Sequence, residues 1–194
     1  MPRTFRNTYF ALRHGISLAN EQGLIISLPE NGTCGWGLSP AGAAHCRERL
    51  APHACEYCFA PERTVTIASD FTRARETAEV FCALHGLAAP QLDPRLRERC
   101  FGQLEKLQQD AYLAIWEQDV VDATHHLKGC ESTDEVAARL RQLLAECEQR
   151  YQDRDIVLVS HGDPLQILET IFRGLPSNRH RTLSHLGNAE LRRL

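Results

Sequence analysis

Lysine is almost absent from this chain. Only Lys106 and Lys128 occur among 194 residues, and the formal net charge is -3. A general nucleic-acid binder needs a basic field to hold the phosphate backbone, so that class is excluded. The arginine excess is explained by codon bias in a GC-rich genome before any arginine-specific role, so only individually placed arginines count. No apolar run approaches the ~20 residues needed to span a bilayer, and Met1 to Asn7 is polar with two arginines, lacking a secretory core. These absences predict a cytoplasmic chain without membrane partners.

Eight cysteines are present, but no second C-x-x-C accompanies Cys55 and Cys58. Zinc requires four ligands, so reduced cysteines near His53 are the expected reading over a metal or redox site. His125 and His126 with Cys130 are weaker still as a metal set. No metal and no cofactor are expected.

What is present is a repeated ending. Tyr9 to Leu12 runs into Arg13-His14-Gly15, and Ile156 to Val159 runs into Ser160-His161-Gly162. Both runs are apolar and β-prone. In open α/β sheets, ligands bind beyond the carboxyl ends of the strands. Two imidazoles and an arginine at that edge point to a site for a small-molecule phosphate ester.

Strands and helices alternate along the chain. Strands are predicted over 8–12, 64–68 and 155–159, with a short one at Gln91-Leu92 and an edge strand within 188–194. Residues 15–35 read as a mixed loop. Ser39-Pro40 opens a helix to about Leu50, and further helices cover 72–85, 107–119 and 164–172. Ser132 and Glu135 have capping-box spacing and open a helix to about Tyr151. This order implies one domain, a three-layer α/β/α sandwich with a mainly parallel sheet. At this length it buries roughly 70% of its unfolded surface.

Four segments, in order, resemble the histidine phosphatase superfamily, the phosphoglycerate mutase-like proteins. They are Arg13-His14-Gly15 with Ser17 and Asn20, Ser69 to Ala78 around Arg73, Leu96 to Gly102 around Glu98, and Val159 to Gly162. Gly129 to Ser132 resembles a further family helix start, although Glu131-Ser132 reads equally as a helix cap. The resemblance implies a phosphoglycerate mutase-like fold with residues 103–131 as a lid. It also implies that His14 attacks phosphorus, that Arg13, Arg73 and His161 hold the phosphoryl oxygens, and that Glu98 is general acid and base. Asn20, Ser17 and the Gly162 amide are candidate phosphate contacts. Chemistry supports the set: an imidazole nucleophile must be neutral, and nearby guanidinium groups keep it so. Glu105 and Asp70 rival Glu98 on sequence alone, and Arg75 rivals Arg73. Ser17 and Ser160 divide evenly between turn capping and substrate contact.

The resemblance leaves two enzymatic outcomes. Glu98 to Leu104 and Gly35-Trp36 are similar to the mutases, but the family's following glycine and Asn-Lys pair are missing after Leu104. A phosphatase is therefore expected over a mutase. A catalytically inactive phospho-ligand or protein-binding module is the third reading. Tyr112, Trp116, His125 and His126 are candidates to shape the leaving-group space, residues 178–181 are candidates to extend the lid, and Arg173, Arg179, His180 and Arg181 either reach a second anionic group or face solvent. Oligomeric state stays open, a homodimer included.

Overall fold

The structure, a computed structural model, describes residues 5–52 and 57–194. Its sheet has five strands: β1 (Thr8–Arg13), β2 (Thr64–Ala68), β3 (Gln91–Leu92), β4 (Asp155–Ser160) and β5 (Leu191–Arg193). Their spatial order is β3-β2-β4-β1-β5, parallel throughout except for β5, which runs antiparallel to β1. β4 is central, and every residue in it is buried, as its unbroken apolar run requires.

Seven helices join these strands among the described residues: α1 (Leu18–Gln22), α2 (Pro29–Gly32), α3 (Pro40–Leu50), α4 (Thr72–Leu84), α5 (Tyr112–Val121), α6 (Thr133–Arg150) and α7 (Gly162–Arg173). Side chains alternate across β1 because a strand repeats every two residues. Tyr9 and Ala11 join Leu140 and Leu144 of α6 and Leu168 of α7 in one core. Phe10 and Leu12 join Leu50 of α3 and Phe81 of α4 in the core on the opposite face. The three-layer expectation is met. Ile25, Phe101, Leu104, Ile115 and Cys130 form a smaller third core beneath the segment that carries α5.

Two local expectations are corrected. Residues 15–35 are not simply a loop, since Ser17 caps α1 through a capping box with Asn20 and Pro29 opens α2. The helix expected from Leu107 begins only at Tyr112, after a 3₁₀ turn over Gln109–Ala111. Lys106 takes a left-handed φ of 64°, and its amide and the Leu107 carbonyl pair with the backbone of Ile25. That pairing withholds Leu107 from the helix.

Among the described residues, no helix is long and apolar enough to cross a membrane. His53 and Cys55 of the C-x-x-C segment lie outside the described residues, while Cys58 is exposed.

Candidate active site

Strand register brings the two histidines together. Arg13 of β1 pairs with Ser160 of β4, and the His14 amide donates to the Ser160 carbonyl at 3.0 Å. His14 and His161 therefore leave adjacent parallel strands at one level, with ring centroids 5.1 Å apart. On the other side of β4, the Ser69 amide bonds the Val159 carbonyl at 2.9 Å, which adds the start of the Ser69 to Ala78 segment to the same edge.

His14 Nδ1 lies 2.7 Å from the Gly15 carbonyl oxygen. A carbonyl can only accept, so Nδ1 carries the proton and Nε2 presents its lone pair. Arg73 donates through Nε to that Nε2 at 3.1 Å. Burial first, then the charges of Arg73 and Arg13, push the His14 pKa well below the usual histidine range. The imidazole is neutral. The turn that aims it is tightly packed: the Gly15 amide donates to Thr77 Oγ1 of α4, and a Cβ on Gly15 would stand 2.1 Å from Cys46 Sγ. Only glycine fits there.

His14 opens onto a cavity of about 410 Å³ that is also lined by Arg13, Ser17, Asn20, Arg73, Glu98 and Gly162. Arg13 donates through Nη1 to the Leu186 carbonyl and contacts His185 Nε2. Arg73 donates through Nη2 to the Ile26 carbonyl at 2.9 Å. Three buried nitrogens around His14 have no hydrogen-bond partner among the described residues: Arg13 Nε, Arg73 Nη1 and His161 Nδ1. Gly162 starts α7, so its amide belongs to the first-turn donors that no helix carbonyl can satisfy.

Glu98 reaches the cavity from the segment after β3. Ser160 Oγ donates to the Leu96 carbonyl at 2.6 Å, tying that segment to the end of β4. Glu98 Oε2 lies 3.9 Å from Arg73 Nη2. Burial pushes its pKa up to about 7, with Arg73 opposing and Asp163 reinforcing the shift. The rival acids are committed elsewhere. Glu105 accepts bonds from Ser27, Leu28 and Asn31, and Asp70 pairs with Arg97 at 2.5 Å. Arg75 points away, 3.8 Å from Glu79.

His161 is buried beside His14, bonded through Nε2 to Ser69 Oγ at 3.0 Å, which leaves its Nδ1 without a partner among the described residues, and burial with Arg73 keeps it neutral. Other expected contacts take other roles. The Ser17 hydroxyl is engaged in capping α1. Asn20 uses Oδ1 for the same cap, which leaves its Nδ2 for the cavity. Glu131 pairs with Arg139 at 2.8 Å and Ser132 caps α6, so both are structural. Of the residues expected around the leaving group or a second anion, Tyr112, Trp116 and Arg181 line the cavity. His125 is buried against Asp119 at 2.7 Å, His126 bonds the Cys130 carbonyl, His180 is fully buried, and Arg173 pairs with Glu169.

Sequence reasoning missed the shell behind the site. Arg99 is fully buried and holds Asp119 through two bonds of 2.7 Å. Its Nη1 also reaches Asp163 at 3.4 Å. His180 Nε2 stands 3.8 Å and 3.9 Å from the same two carboxylates. Burial would raise the Asp163 pKa, but His180, Arg99 and Arg181 hold it low. This cluster joins α5, α7 and the 3₁₀ turn over Ser177–Thr182.

The chain is similar to known proteins over most of its length. The profile of the histidine phosphatase superfamily (branch 1) matches residues 9–194. A probable phosphoglycerate mutase GpmB of Erwinia tasmaniensis is 38% identical over 136 residues, covering 68% of this chain and 62% of the relative. Its counterpart in Photorhabdus laumondii is 36% identical over the same shares. The match thus spans 62% of the length of these curated relatives. Among solved structures, the mycobacterial glucosyl-3-phosphoglycerate phosphatase in complex with VO3 superposes with a TM-score of 0.77 at 28% identity, covering 95% of this chain and 90% of that one. A structure described as mycobacterial hydrolase 1 gives 0.77 at 27% identity, covering 95% and 86%.

Proposed function

We propose that this chain, which belongs to the histidine phosphatase superfamily, is a phosphatase that hydrolyses small-molecule phosphomonoesters through a phosphohistidine on His14. The observation that carries this reading is the set of three unpartnered nitrogens around the neutral His14 ring, on Arg13, Arg73 and His161. Buried polar groups are normally hydrogen-bonded. A phosphoryl group supplies the acceptor oxygens these nitrogens lack, and guanidinium binds such oxygens with bidentate geometry.

In this reading, Arg73 releases His14 Nε2 and takes a phosphoryl oxygen. The lone pair on Nε2 forms a bond to phosphorus as the bond to the ester oxygen breaks. Glu98, protonated near neutrality, gives its proton to the departing alkoxide. Water then attacks phosphorus and yields a proton to the Glu98 carboxylate, and the N–P electron pair returns to the imidazole. Each group thereby regains its starting state. Ser69 Oγ accepts from the Phe71 amide and can give its own hydrogen to His161 Nε2, which leaves Nδ1–H of His161 as a donor to the transferring group. Asn20 Nδ2 and the Gly162 amide complete the phosphate cradle. The uncatalysed reaction is among the slowest known, with enhancements up to ~10²¹, so several such effects must act together.

Hydrolysis is favoured over mutase transfer by the lining beyond the phosphate end. Apart from Arg13 and Arg73, its one cation is Arg181, already balanced 3.8 Å from Asp163. A mutase must also hold the carboxylate of its sugar acid. We assign residues 103–131 as a lid over this space, anchored on the third core. Phosphate release should be measured on a panel of phosphomonoesters in the presence of chelator, with His14→Ala as control and an assay for phosphoglycerate interconversion. Release that survives chelation and disappears in the variant supports the phosphatase. Interconversion without release would assign the mutase, and neither activity, with no phosphohistidine formed, would return the chain to a binding role.

A further inference from the structure

We infer that the alcohol leaving this site is an uncharged aromatic or arylalkyl alcohol and not a sugar acid, an inference that rests on the phosphatase reading above. Beyond the phosphate end, the cavity walls are Leu24, Ile26, Phe101, Tyr112, Leu113 and Trp116. Tyr112 and Trp116 stand one turn apart on α5 and stack with ring centroids 5.1 Å apart and planes 17° from parallel. Phe101 meets Tyr112 edge-on at 4.5 Å. Trp116 is locked in place: its Nε1 donates to Asp163 Oδ2 at 3.1 Å, and the Arg181 guanidinium lies 3.8 Å from its ring centroid. A flat apolar group entering this chamber meets rigid aromatic surface, the combination that binds rings with little loss of side-chain freedom.

The charges point the same way. The guanidinium groups of Arg13 and Arg73 together balance one phosphate dianion. Arg181 donates to Gln166 Oε1 at 2.6 Å and faces Asp163, so its charge is matched within the protein. The remaining charged group lining the outer cavity is Asp110. A carboxylate or second phosphate on the alcohol would therefore enter beside Asp110 with no unmatched cation to receive it, and like charges at short range repel.

The test compares 2-phenylethyl phosphate with glycerol 3-phosphate and 3-phosphoglycerate. All three release alkyl alcohols, so differences in leaving-group chemistry are small and the chamber decides the ranking. We expect kcat/KM for the phenylethyl ester to exceed that for 3-phosphoglycerate by at least about tenfold, about the effect of one or two well-buried methylenes, carried mainly by KM. Trp116→Ala should remove most of that preference. Leu113→Arg, at a position 58% exposed and so tolerant of substitution, should shift it toward 3-phosphoglycerate. Equal or better turnover of 3-phosphoglycerate by the unaltered protein overturns this inference while leaving the phosphatase reading intact. So does a preference that survives both variants. Absence of release from every ester would sink both readings together.

Discussion

Arg73 holds the His14 ring by the nitrogen that faces away from Gly15: Nε of the guanidinium donates to Nε2 of the imidazole at 3.1 Å. In the proposed reaction, the cation that would stabilise the transferring phosphoryl group thus also keeps the His14 ring unprotonated before substrate arrives. Both residues are buried, so the Coulomb effect between them is little screened.

Replacing Arg73 by glutamine therefore has two consequences that move separately. Loss of a donor to the transferring group should lower kcat by about 10²–10³. Loss of the positive charge should raise the pKa of His14, which Arg73 and Arg13 now depress after burial. Because only neutral His14 attacks in the proposed reaction, the ascending limb of the rate profile should move to higher pH in the variant. A pH series of kcat/KM checks this, and a variant with reduced rate but an unmoved ascending limb would contradict the coupling.

In the proposed reaction, Glu98 sets the opposite limb. Its pKa, raised by burial to about 7, makes the protonated acid available below neutrality and removes it above. We expect kcat/KM to fall as pH rises through about 7. Glu98→Gln should flatten that limb and lower the rate by about 10²–10⁴, the usual contribution of a general acid. Stability follows the same sign. The folded pKa lies above the unfolded value near 4.5, so the folded state binds more protons between them. Its contribution is complete below about 4.5 and is lost as pH rises through about 7. Urea titrations at several pH values should show this slope in the parent and its loss in Glu98→Gln.

The residues at strand ends were legible in sequence because their signals are local. Arg13-His14-Gly15 and Ser160-His161-Gly162 announce a strand, a turn and a reactive ring within a few positions, and parallel register does the rest. Arg73 and Glu98 were picked out through the resemblance of their segments to the family's motifs, with Arg75, Glu105 and Asp70 as rivals on sequence alone. Arg99 was not. It sits in a run of charges that reads as surface, yet Glu98 turns to the cavity while Arg99 turns inward to Asp119. Nothing in five consecutive residues distinguishes those directions. His185 and Asp163 were invisible for the same reason, since their roles depend on partners distant in sequence. The start of α5 was misplaced because the backbone pairing of residues 106–107 with Ile25 overrides the helical pattern of the side chains.

The Arg99–Asp119 pair yields a stability prediction. Both side chains are fully buried, and removing one partner strands a charge in the interior. Asp119→Ala should cost about 3–5 kcal/mol by chemical denaturation. Arg99 would keep the more distant carboxylate of Asp163 at 3.4 Å, the Glu131 carbonyl at 2.6 Å and the weak acceptor Cys130 Sγ at 3.8 Å. The double variant Arg99→Met with Asp119→Leu should recover much of that loss, because apolar side chains of similar size need no compensating charge. A single variant as stable as the parent would show that the pair carries no such penalty.

His185 offers the last prediction, since it lines the cavity and contacts Arg13. Its Nε2 contacts Arg13 Nη1, and its Cε1 stands 3.4 Å from where a Cβ on Gly162 would lie. Burial, then the charges of Arg13 and Arg181, lower its pKa to about 4, so it is a neutral acceptor across the working range. Its task is to position Arg13. His185→Phe keeps the ring and removes the acceptor, and a bond to a charged group is worth about 1.5–3 kcal/mol. We expect the KM for a phosphate ester to rise about tenfold or more, with kcat changed less and both limbs of the pH profile unmoved. His185→Gln, which restores an acceptor, should recover part of the loss. A shift of either limb in His185→Phe would instead make His185 a proton-transfer group and overturn its assignment as the acceptor that holds Arg13.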